Sequence, residues 1–410
     1  MGGIPAEKLS WLLRRIGRGM DEVAVIPVFD LEGPLAHTLQ RLERGLVPET
    51  YGWTEDKTRL AYSYRGERAW VRSIILAAKY YFTDERYPDH AGFTGSTPGE
   101  QMVVRKNGAI AENVQWDGLR PYGRIARFTW RNNYRYLTMR LREMLVALEK
   151  ELGITVHTRV FSNYTAIPEK VLFAGSGLAS LGKNSVLINQ NMGSLFVIGE
   201  ALTDLEVDFS GTSYDSRHHL PEPDFSICGS CTRCIDTCPT GAIIADGTLD
   251  IGRCMQFLSE NLLPIPVEIR EVWGNRLYGC TTCLDVCPHN EQLEPWAEKH
   301  PIGFVGPGDD LITLFNYSAE QWEKRFSDNQ LIVRDRLAII QNALLCLGNL
   351  NYEPSPSVLA PYLSHENWLV RLAAVWAVGR QGSGSARRML GKLLQEEDHP
   401  HVLEEIQYFL

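Results

Sequence analysis

Cysteines dominate the part of the sequence that could carry out chemistry, and their spacing points to iron–sulfur clusters. The chain contains nine cysteines. The first run has the pattern Cys-x-x-Cys-x-x-Cys-x-x-x-Cys-Pro, with its cysteines at Cys228, Cys231, Cys234 and Cys238. In this pattern three thiolates bind one [4Fe–4S] cluster, and the fourth, just before proline, binds a second cluster. The sequence therefore predicts two clusters.

A second run supplies the remaining ligands, although it is one cysteine short. It reads Cys280-x-x-Cys283-x-x-x-Cys287-Pro, and Leu277 stands where the missing cysteine would lie. Cys254 has no other evident role, so we predict that it is the displaced ligand. The first cluster would then be bound by Cys228, Cys231, Cys234 and Cys287. The second would be bound by Cys238, Cys254, Cys280 and Cys283.

Zinc and disulfide bonds are the alternative uses of such cysteines. Zinc-binding cysteines usually occur as two Cys-x-x-Cys pairs, and a tetrahedral ion does not need a third cysteine at the same spacing. Disulfide bonds form in oxidising compartments, which nothing in the sequence indicates. Cys346, the ninth cysteine, lies in an apolar helical run and is expected to be a small buried side chain.

The composition is that of an ordinary globular protein with more than one domain. The chain has 410 residues, of which 44% are hydrophobic and 22% charged, enough for two or three domains. A net charge of -9 argues against nucleic-acid binding over the whole surface but allows a local basic face. The amino-terminal segment lacks the apolar stretch of a secretion signal, and no apolar run approaches a membrane span. We therefore expect a cytoplasmic protein.

The elements that must position the cysteines include strands, helices and a glycine-rich loop. Helices are predicted over 6–16 and 167–174, and strands over 23–29, 72–82 and 155–161. Residues 186–188 and 195–198 are expected to pair as a hairpin. The glycine-rich segment 175–185 ends in Gly182, Lys183, Asn184 and Ser185, whose backbone and polar groups could contact a ligand.

A basic and aromatic segment spans residues 120–142. It contains no acidic residue, and its arginines are Arg120, Arg124, Arg127, Arg131, Arg135, Arg140 and Arg142. Interleaved arginine and aromatic side chains suit contacts with phosphates and bases. Leucines at helical spacing from Leu137 onward also fit a core-facing helix whose other face is solvated. Both interpretations are compatible with the sequence.

The last 80 residues predict a helical repeat. The motif at 343–348 recurs at 374–379, a period of 31 residues. This period is consistent with paired helices stacked as in HEAT-like repeats, which commonly form binding surfaces. A helical cap on the rest of the protein is the alternative.

Several of these blocks together resemble the epoxyqueuosine reductase family, which completes queuosine synthesis in tRNA. They are Gly123-Arg-Ile-Ala-Arg-Phe-Thr-Trp-Arg-Asn-Asn-Tyr134, Gly182-Lys-Asn-Ser185, the run from Cys228 to Ile243, Ile265-Pro-Val-Glu-Ile-Arg270 and Gly274-Asn-Arg-Leu-Tyr-Gly-Cys280. The resemblance covers most of the chain, including the HEAT-like repeats. It implies an α+β fold with a reductive-dehalogenase-like cobalamin-binding α/β core over 1–220. A ferredoxin-like two-cluster domain over 221–300 and a linker with HEAT-like repeats over 301–410 would follow.

The resemblance also implies cofactors, partners and a reaction. The family binds base-off cobalamin above two [4Fe–4S] clusters and removes the epoxide oxygen from a modified nucleoside in the tRNA anticodon loop. Candidate cofactor contacts are Arg127, Tyr134, Gly182, Lys183, Asn184 and Ser185. We expect an external low-potential electron donor, no membrane and a monomer.

One position departs from the family pattern. Asn163 stands where the family carries the Asp that delivers a proton during epoxide opening. An amide has no acidic proton at neutral pH, so Tyr164 is the alternative candidate. Two other functions remain open: a paralogue that reduces a small, halide-like substrate with the same cofactors, and an electron-transfer or corrinoid-activating protein.

Overall fold

The structure, a computed structural model, describes residues 3–64, 66–85, 103–104, 110–111, 121–163, 167–215, 220, 225–350 and 352–410. Its strands are β1 (Ile4–Pro5), β2 (Glu22–Pro27), β3 (Ser73–Tyr80), β4 (Val103–Val104), β5 (Ile110–Ala111), β6 (Tyr122–Ile125), β7 (Thr158–Phe161), β8 (Ser180–Leu181), β9 (Leu187–Ile188), β10 (Phe196–Thr203), β11 (Val207–Asp208), β12 (Ile243–Ala245), β13 (Thr248–Leu249), β14 (Arg276–Tyr278) and β15 (Gly308–Asp310). Its helices are α1 (Ala6–Ile16), α2 (Glu32–Glu43), α3 (Glu55–Ala61), α4 (Asn133–Leu152), α5 (Glu169–Gly175), α6 (Arg233–Thr237), α7 (Met255–Ser259), α8 (Val267–Glu271), α9 (Thr282–Asp285), α10 (Leu311–Phe315), α11 (Ala319–Phe326), α12 (Arg336–Leu350), α13 (Pro356–Leu363), α14 (Trp368–Gly379), α15 (Gly384–Glu396) and α16 (Pro400–Phe409).

A four-stranded sheet in the order β2-β3-β10-β7 forms the centre of the amino-terminal half. All three pairs of neighbouring strands are antiparallel. Every residue of β3 is buried, which explains its continuous apolar sequence. Helices α1 and α4 bury leucines of one face in the same core, including Leu13 and Leu141. The predicted helices at 6–16 and 167–174 and the predicted strands at 23–29, 72–82 and 155–161 are confirmed.

The hairpin predicted between residues 186–188 and 195–198 is wrong. Strand β9 pairs with β8, with Leu187 opposite Leu181. Strand β10 instead pairs with β3 over its whole length and with β7 from Glu200 to Thr203. The reversal between β8 and β9 is a tight turn in which Ser185 N–H donates to the Gly182 carbonyl over 2.9 Å. The turn uses a positive φ of 60° at Ser185.

A smaller sheet takes one strand from each of the three predicted regions. Strand β6 pairs in parallel with β14 and antiparallel with β15. Leu277, at the position of the missing cysteine, lies in β14 and is 1% exposed. Its side chain therefore belongs to the hydrophobic core. The boundaries at 220 and 300 stay a prediction.

The carboxy-terminal helices confirm the predicted repeat. The two copies of the motif fall in α12 and α14, which pack against each other, and α13 and α15 follow them in turn. Both α12 and α14 are apolar on nearly every side, as expected for helices covered by neighbours. Cys346 is fully buried in α12, and burial raises the pKa of its thiol. This cysteine is a core residue, as predicted.

A buried ion pair connects the last helix to the part of the chain between Cys228 and Cys287, which we call the cysteine segment. Arg270 in α8 donates to both carboxylate oxygens of Glu405 in α16, over 2.7 and 2.9 Å. The Arg270 guanidinium also lies 4.8 Å from the ring centre of Trp376. Among the described residues, no helix has both the length and the apolar character that crossing a membrane would require.

Candidate redox site

The eight clustered cysteines fall into two groups of neighbouring thiols. Burial raises the pKa of Cys234 to about 11, and the other thiols that raise it are Cys228, Cys287 and Cys231. Burial likewise raises the pKa of Cys283, and the main thiols acting on it are Cys280, Cys254 and Cys238. These groups coincide with the two ligand sets predicted from spacing. We refer to them as set one and set two.

The donor chemistry of both sets fits a polycationic group. Neighbouring thiols repel one another when they ionise, so four thiolates close together need a positive partner. Iron supplies that charge in a [4Fe–4S] cluster, whose ligands are thiolates. Among the residues that the structure describes, no group of three or more His, Cys, Asp or Glu side chains is arranged to hold a single metal ion.

Two short helices place one thiol of each set, Cys234 and Cys283, in the same way. Cys234 and Cys283 are each the second residue of their helix, α6 and α9. Thr232 and Thr281 precede these helices, and each hydroxyl donates to an aspartate four residues later, over 2.7 and 3.0 Å. The two halves of the cysteine segment are therefore local structural repeats, which agrees with the similar spacing of their cysteines.

Cys254 reaches set two from a separate turn. It precedes α7, and Cys280 and Cys238 are the thiols that act on it. Arg253 fixes this turn by donating from Nε to the Thr240 carbonyl over 2.9 Å. Burial raises the pKa of Cys254 to about 11.

The two sets differ in their surroundings. Beside set one, Gly229, Ser230, Thr232, Arg233 and His289 are all exposed. Cys254 and Cys283 of set two instead act on Lys170, which belongs to α5 of the amino-terminal half. We call set one the outer group, because exposed residues flank it, and set two the inner group, because it acts on the amino-terminal half.

Lys170 marks a concave space next to set two. Its side chain is exposed to solvent, yet desolvation by surrounding protein lowers the pKa of its ammonium. A group that reaches water but is largely surrounded by protein lies in a concavity rather than on an outer face. Tyr134 is in a similar position: it is only half-buried, and desolvation raises the pKa of its phenol. We call the space bounded by Arg41, Tyr51, Tyr134, Glu169, Lys170, Cys254 and Cys283 the recess.

Distant segments supply the charged walls of the recess. Glu260 and Glu169 both act on Tyr134 and on Tyr51, as does Arg334. Arg334 forms an ion pair with Glu260 at 3.2 Å. Arg41 donates from Nη2 to the Leu249 carbonyl over 3.3 Å, which connects α2 to the cysteine segment. The sequence analysis missed Arg41, Glu169 and Lys170, because nothing near them in the sequence indicates a site.

The predicted glycine-rich loop connects Lys170 of the recess with the turn between β12 and β13. Lys183 forms an ion pair with Asp246 at 3.3 Å, and its carbonyl accepts from Gly247 N–H over 2.9 Å. Ser185 donates to the Gly247 carbonyl over 2.6 Å, and its own carbonyl accepts from Lys170 over 2.9 Å. Asn184 accepts from Val186 N–H within the turn. A Cβ at Gly182 would lie 2.9 Å from Asn184 Oδ1 and from the end of the Ile188 side chain, so a larger residue there would force these side chains to move.

The remaining predicted residues are placed as follows. Asn163 follows β7, is exposed and has a positive φ of 55°, a conformation that asparagine tolerates well. Tyr164 lies outside the described residues. Arg127 donates to the carbonyls of Thr83 and Glu85 over 3.3 and 2.9 Å, so it holds the segment after β3.

Arginines of the basic segment have intramolecular carboxylate partners. Arg131 pairs with Glu85 through two hydrogen bonds, and Arg135 pairs with Asp328. Arg140 pairs with Glu143 on the same helix. The first two acidic partners are far away in the sequence, so charge patterning could not reveal them. Arg120 lies outside the described residues.

Comparisons with known proteins agree with this geometry. Residues 227–290 match the 4Fe-4S double cluster binding domain, and residues 331–409 match HEAT repeats. The epoxyqueuosine reductase of Aliivibrio fischeri is 32% identical over 295 residues, covering 71% of this chain and 74% of that protein. The chain belongs to the epoxyqueuosine reductase family. It is therefore an oxidoreductase with a double-cluster domain.

Other members of the epoxyqueuosine reductase family cover more of the chain. The Escherichia coli protein is 28% identical over 341 residues, which are 82% of each chain. Two crystal structures of epoxyqueuosine reductase cover 98% of this chain, with TM-scores of 0.78 and 0.77 at 22% and 23% identity. The second of these contains an epoxyqueuosine-modified tRNA stem loop. At this level of identity the structural similarity establishes the shared fold.

Proposed function

We propose that this chain converts epoxyqueuosine to queuosine in tRNA, using two [4Fe–4S] clusters and cobalamin bound in the recess. The observation that carries the proposal is that Cys254 and Cys283 lie within electrostatic range of Lys170, which connects the inner thiol set with the recess. Membership of the family supports the reaction, and the relative crystallised with a modified tRNA stem loop supports the substrate.

We assign four thiolates to each cluster. The outer cluster takes Cys228, Cys231, Cys234 and Cys287. The inner cluster takes Cys238, Cys254, Cys280 and Cys283. An external low-potential donor would deliver electrons at the exposed surface around set one, and set two would pass them to the recess. Burial, followed by the neighbouring thiols, raises the pKa of Cys234 and of Cys283, which supports this assignment because ionisation is then disfavoured unless iron is present.

The recess has groups suited to a corrinoid. Tyr134 and Lys170, with the loop Gly182, Lys183, Asn184 and Ser185, would surround the cofactor, and Arg127 would support this wall through its contacts after β3. When bound, cobalamin supplies the low-potential two-electron chemistry that protein side chains lack. The protein provides orientation, charge and protons.

Loss of an epoxide oxygen fixes what the protein must deliver. Two C–O bonds break, a carbon–carbon double bond forms and the oxygen leaves as water, which consumes two electrons and two protons. Asn163 can hold the substrate by hydrogen bonds but cannot donate an acidic proton. Tyr164 remains the candidate that our sequence analysis named for this task.

Binding of tRNA would use the basic segment and the HEAT-like repeats. Ion pairs such as Arg135–Asp328 reduce the charge available to phosphates. Trp130 and Tyr136 are buried, which leaves the partly exposed Tyr122 and Phe128 as aromatic side chains that could stack on bases. We expect a monomer acting in the cytoplasm, where a reducing environment preserves thiolates for cluster assembly.

The direct test is anaerobic turnover with cobalamin, a strong reductant and epoxyqueuosine-containing tRNA, followed by nucleoside mass spectrometry. We expect queuosine to appear only when both clusters and cobalamin are present. Tyr164→Phe then shows whether that phenol delivers a proton, because turnover is unchanged if it does not. Fully loaded protein that yields no queuosine would contradict the proposal.

A second candidate is reduction of a small molecule by the same cofactors. The exposed Asn163, in place of the family's Asp, favours it, because the usual acid for epoxide opening is missing. Loaded protein that leaves epoxyqueuosine intact but dehalogenates a small organic halide under the same conditions would favour this function.

A further inference from the structure

A buried arginine reaches one thiol of set two through a single hydroxyl. Nη2 of Arg276 in β14 donates to Oγ1 of Thr282 over 3.0 Å, and this oxygen lies 3.5 Å from Sγ of Cys280. Arg276 and Thr282 are only 7% and 4% exposed. A guanidinium, a hydroxyl and the sulfur of a predicted cluster ligand therefore lie in a row, and protein encloses the first two.

The hydrogen bonds determine the direction of the Thr282 hydroxyl. A guanidinium can only donate, so Oγ1 of Thr282 accepts from Arg276 and its own hydrogen is left for another acceptor. A cysteine that binds iron does so as a thiolate, which has no hydrogen to donate. Sγ of Cys280 is within hydrogen-bonding distance, so the Thr282 hydroxyl donates to this sulfur when the cluster is bound.

Neighbouring contacts fix both ends of this row. Nη1 of Arg276 donates to the carbonyls of Trp273 and Val272 over 2.7 and 3.2 Å. The backbone N–H of Cys280 donates to Oε1 of Gln256 over 3.0 Å. The guanidinium and the backbone of the cysteine are thus held by the protein itself, independently of a cluster.

The outer half of the cysteine segment has a different side chain at the equivalent position. Thr282 immediately precedes the cysteine of α9, and Arg233 immediately precedes the cysteine of α6. Arg233 has no hydroxyl, is exposed and forms an ion pair with Glu291. The hydroxyl beside a ligand sulfur is therefore not part of the pattern that the two halves share.

We propose that Thr282 and Arg276 raise the reduction potential of the inner cluster, so that electrons arriving through the outer cluster pass readily to the inner one. Reduction makes a cluster and its thiolates more negative. A hydrogen bond to a ligand sulfur and a nearby positive charge both stabilise that added charge. They offset the effect of burial, which disfavours it.

The two residues have different roles in this inference, which rests on the cluster assignment of the proposed function. Thr282 contacts the ligand sulfur, whereas Arg276 is a positioning residue that acts mainly through the Thr282 hydroxyl. The step that they assist transfers one electron from the outer cluster to the inner cluster, and no bond forms or breaks. The electron comes from the external low-potential donor.

A redox titration followed by electron paramagnetic resonance tests this effect without cobalamin, tRNA or turnover. Thr282→Val replaces the hydroxyl with a methyl group of similar size. In protein with about eight irons per chain, we expect the equilibrium constant for reduction of the inner cluster to fall about tenfold, which lowers its potential by about 59 mV. The potential of the outer cluster should not change. Cys283→Ser, which keeps only the outer cluster, assigns the two signals.

Three further variants complete the test. Thr282→Ser keeps a hydroxyl and should keep the wild-type potential. Thr232→Val removes a hydroxyl of the outer half that donates to Asp236, and it should leave the inner potential unchanged. If Thr282→Val does not assemble both clusters, Thr282→Ala removes the same hydroxyl and provides the same comparison.

An inner potential that is the same with and without the hydroxyl would overturn the inference. An equal fall of the inner potential in Thr282→Ser and Thr282→Val would also overturn it, because the hydroxyl would then not be the cause. Fully loaded protein that yields no queuosine would contradict the proposed reaction, but the potentials of its clusters would still decide whether Thr282 and Arg276 have this role.

Discussion

The cysteine segment and the recess are neighbouring regions built in opposite ways. The segment places eight thiols between Cys228 and Cys287, using two similar short helices. The recess gathers charged and aromatic groups from positions as far apart as Arg41 and Arg334. Because the cysteine segment repeats a local pattern, it can be predicted from the sequence. The recess forms only when distant segments come together on folding. The two regions meet where Cys254 and Cys283 approach Lys170.

The largest expected effect is on iron content and turnover, and it distinguishes the cysteines of the two sets from the core cysteine Cys346. Cys283→Ser should remove the inner cluster, lower the iron content from about eight to about four per chain and abolish turnover. Cys346→Ala changes a buried thiol outside both sets and should retain full iron and turnover. Iron analysis of anaerobically purified protein checks both results. Loss of iron in Cys346→Ala, or full iron in Cys283→Ser, would contradict the division of the cysteines.

A second prediction concerns the attachment of the cysteine segment to the helical repeats. The side chains of Arg270 and Glu405 are 5% and 8% exposed, so Arg270→Ala leaves a buried carboxylate without its partner. We expect the free energy of unfolding to fall by about 3–5 kcal/mol.

The matched control is Arg59→Ala, which removes an exposed ion pair with Glu55 four residues away. It should change the free energy of unfolding by less than about 0.5 kcal/mol. Denaturant titration measures both values. Similar losses in the two variants would mean that the Arg270–Glu405 pair does not join the two regions energetically.

A third, smaller effect concerns how the free energy of unfolding depends on pH through His300, which contacts the start of the helix that carries Tyr134. His300 accepts or donates at Nε2 with Asn133 at the start of α4, and its ring stacks on Tyr136 at 4.2 Å. Burial, followed by the charges of Arg131 and Lys79, lowers the pKa of His300 from 6.5 to about 4. Between these values the unfolded chain binds the proton and the folded chain does not, so stability rises with pH.

The fall in stability from pH 6.5 to pH 4 that is due to His300 should therefore be about 2–3 kcal/mol. Unfolding measured across this pH range should be less acid-sensitive in His300→Gln than in wild-type protein. His401→Gln changes an exposed histidine and serves as the control. Equal acid sensitivity in all three proteins would show that His300 titrates normally in the folded state.

Sequence patterns predicted the local elements and left the long-range ones out. Helix α1, strand β3, the two cysteine runs and the helical repeat each depend on spacing within one stretch of chain, so periodicity revealed them, whereas Cys254 was assigned to its set by elimination. The predicted pairing of β9 with β10 was wrong, because β10 pairs with β3 and β7, which no local pattern indicates. Arg131 and Arg135 suggested a nucleic-acid face, but their carboxylate partners Glu85 and Asp328 become visible only in the fold.

The central claim is that the inner thiol set and the recess form one redox unit. Electron paramagnetic resonance of reduced protein titrated with cobalamin tests it most directly. We predict that bound cobalamin interacts magnetically with a reduced cluster in wild-type protein and that Cys283→Ser, which keeps the outer cluster, abolishes this interaction. The claim would be contradicted if one cobalamin bound per chain and its signal did not change when either cluster was reduced. The cofactor would then lie away from set two.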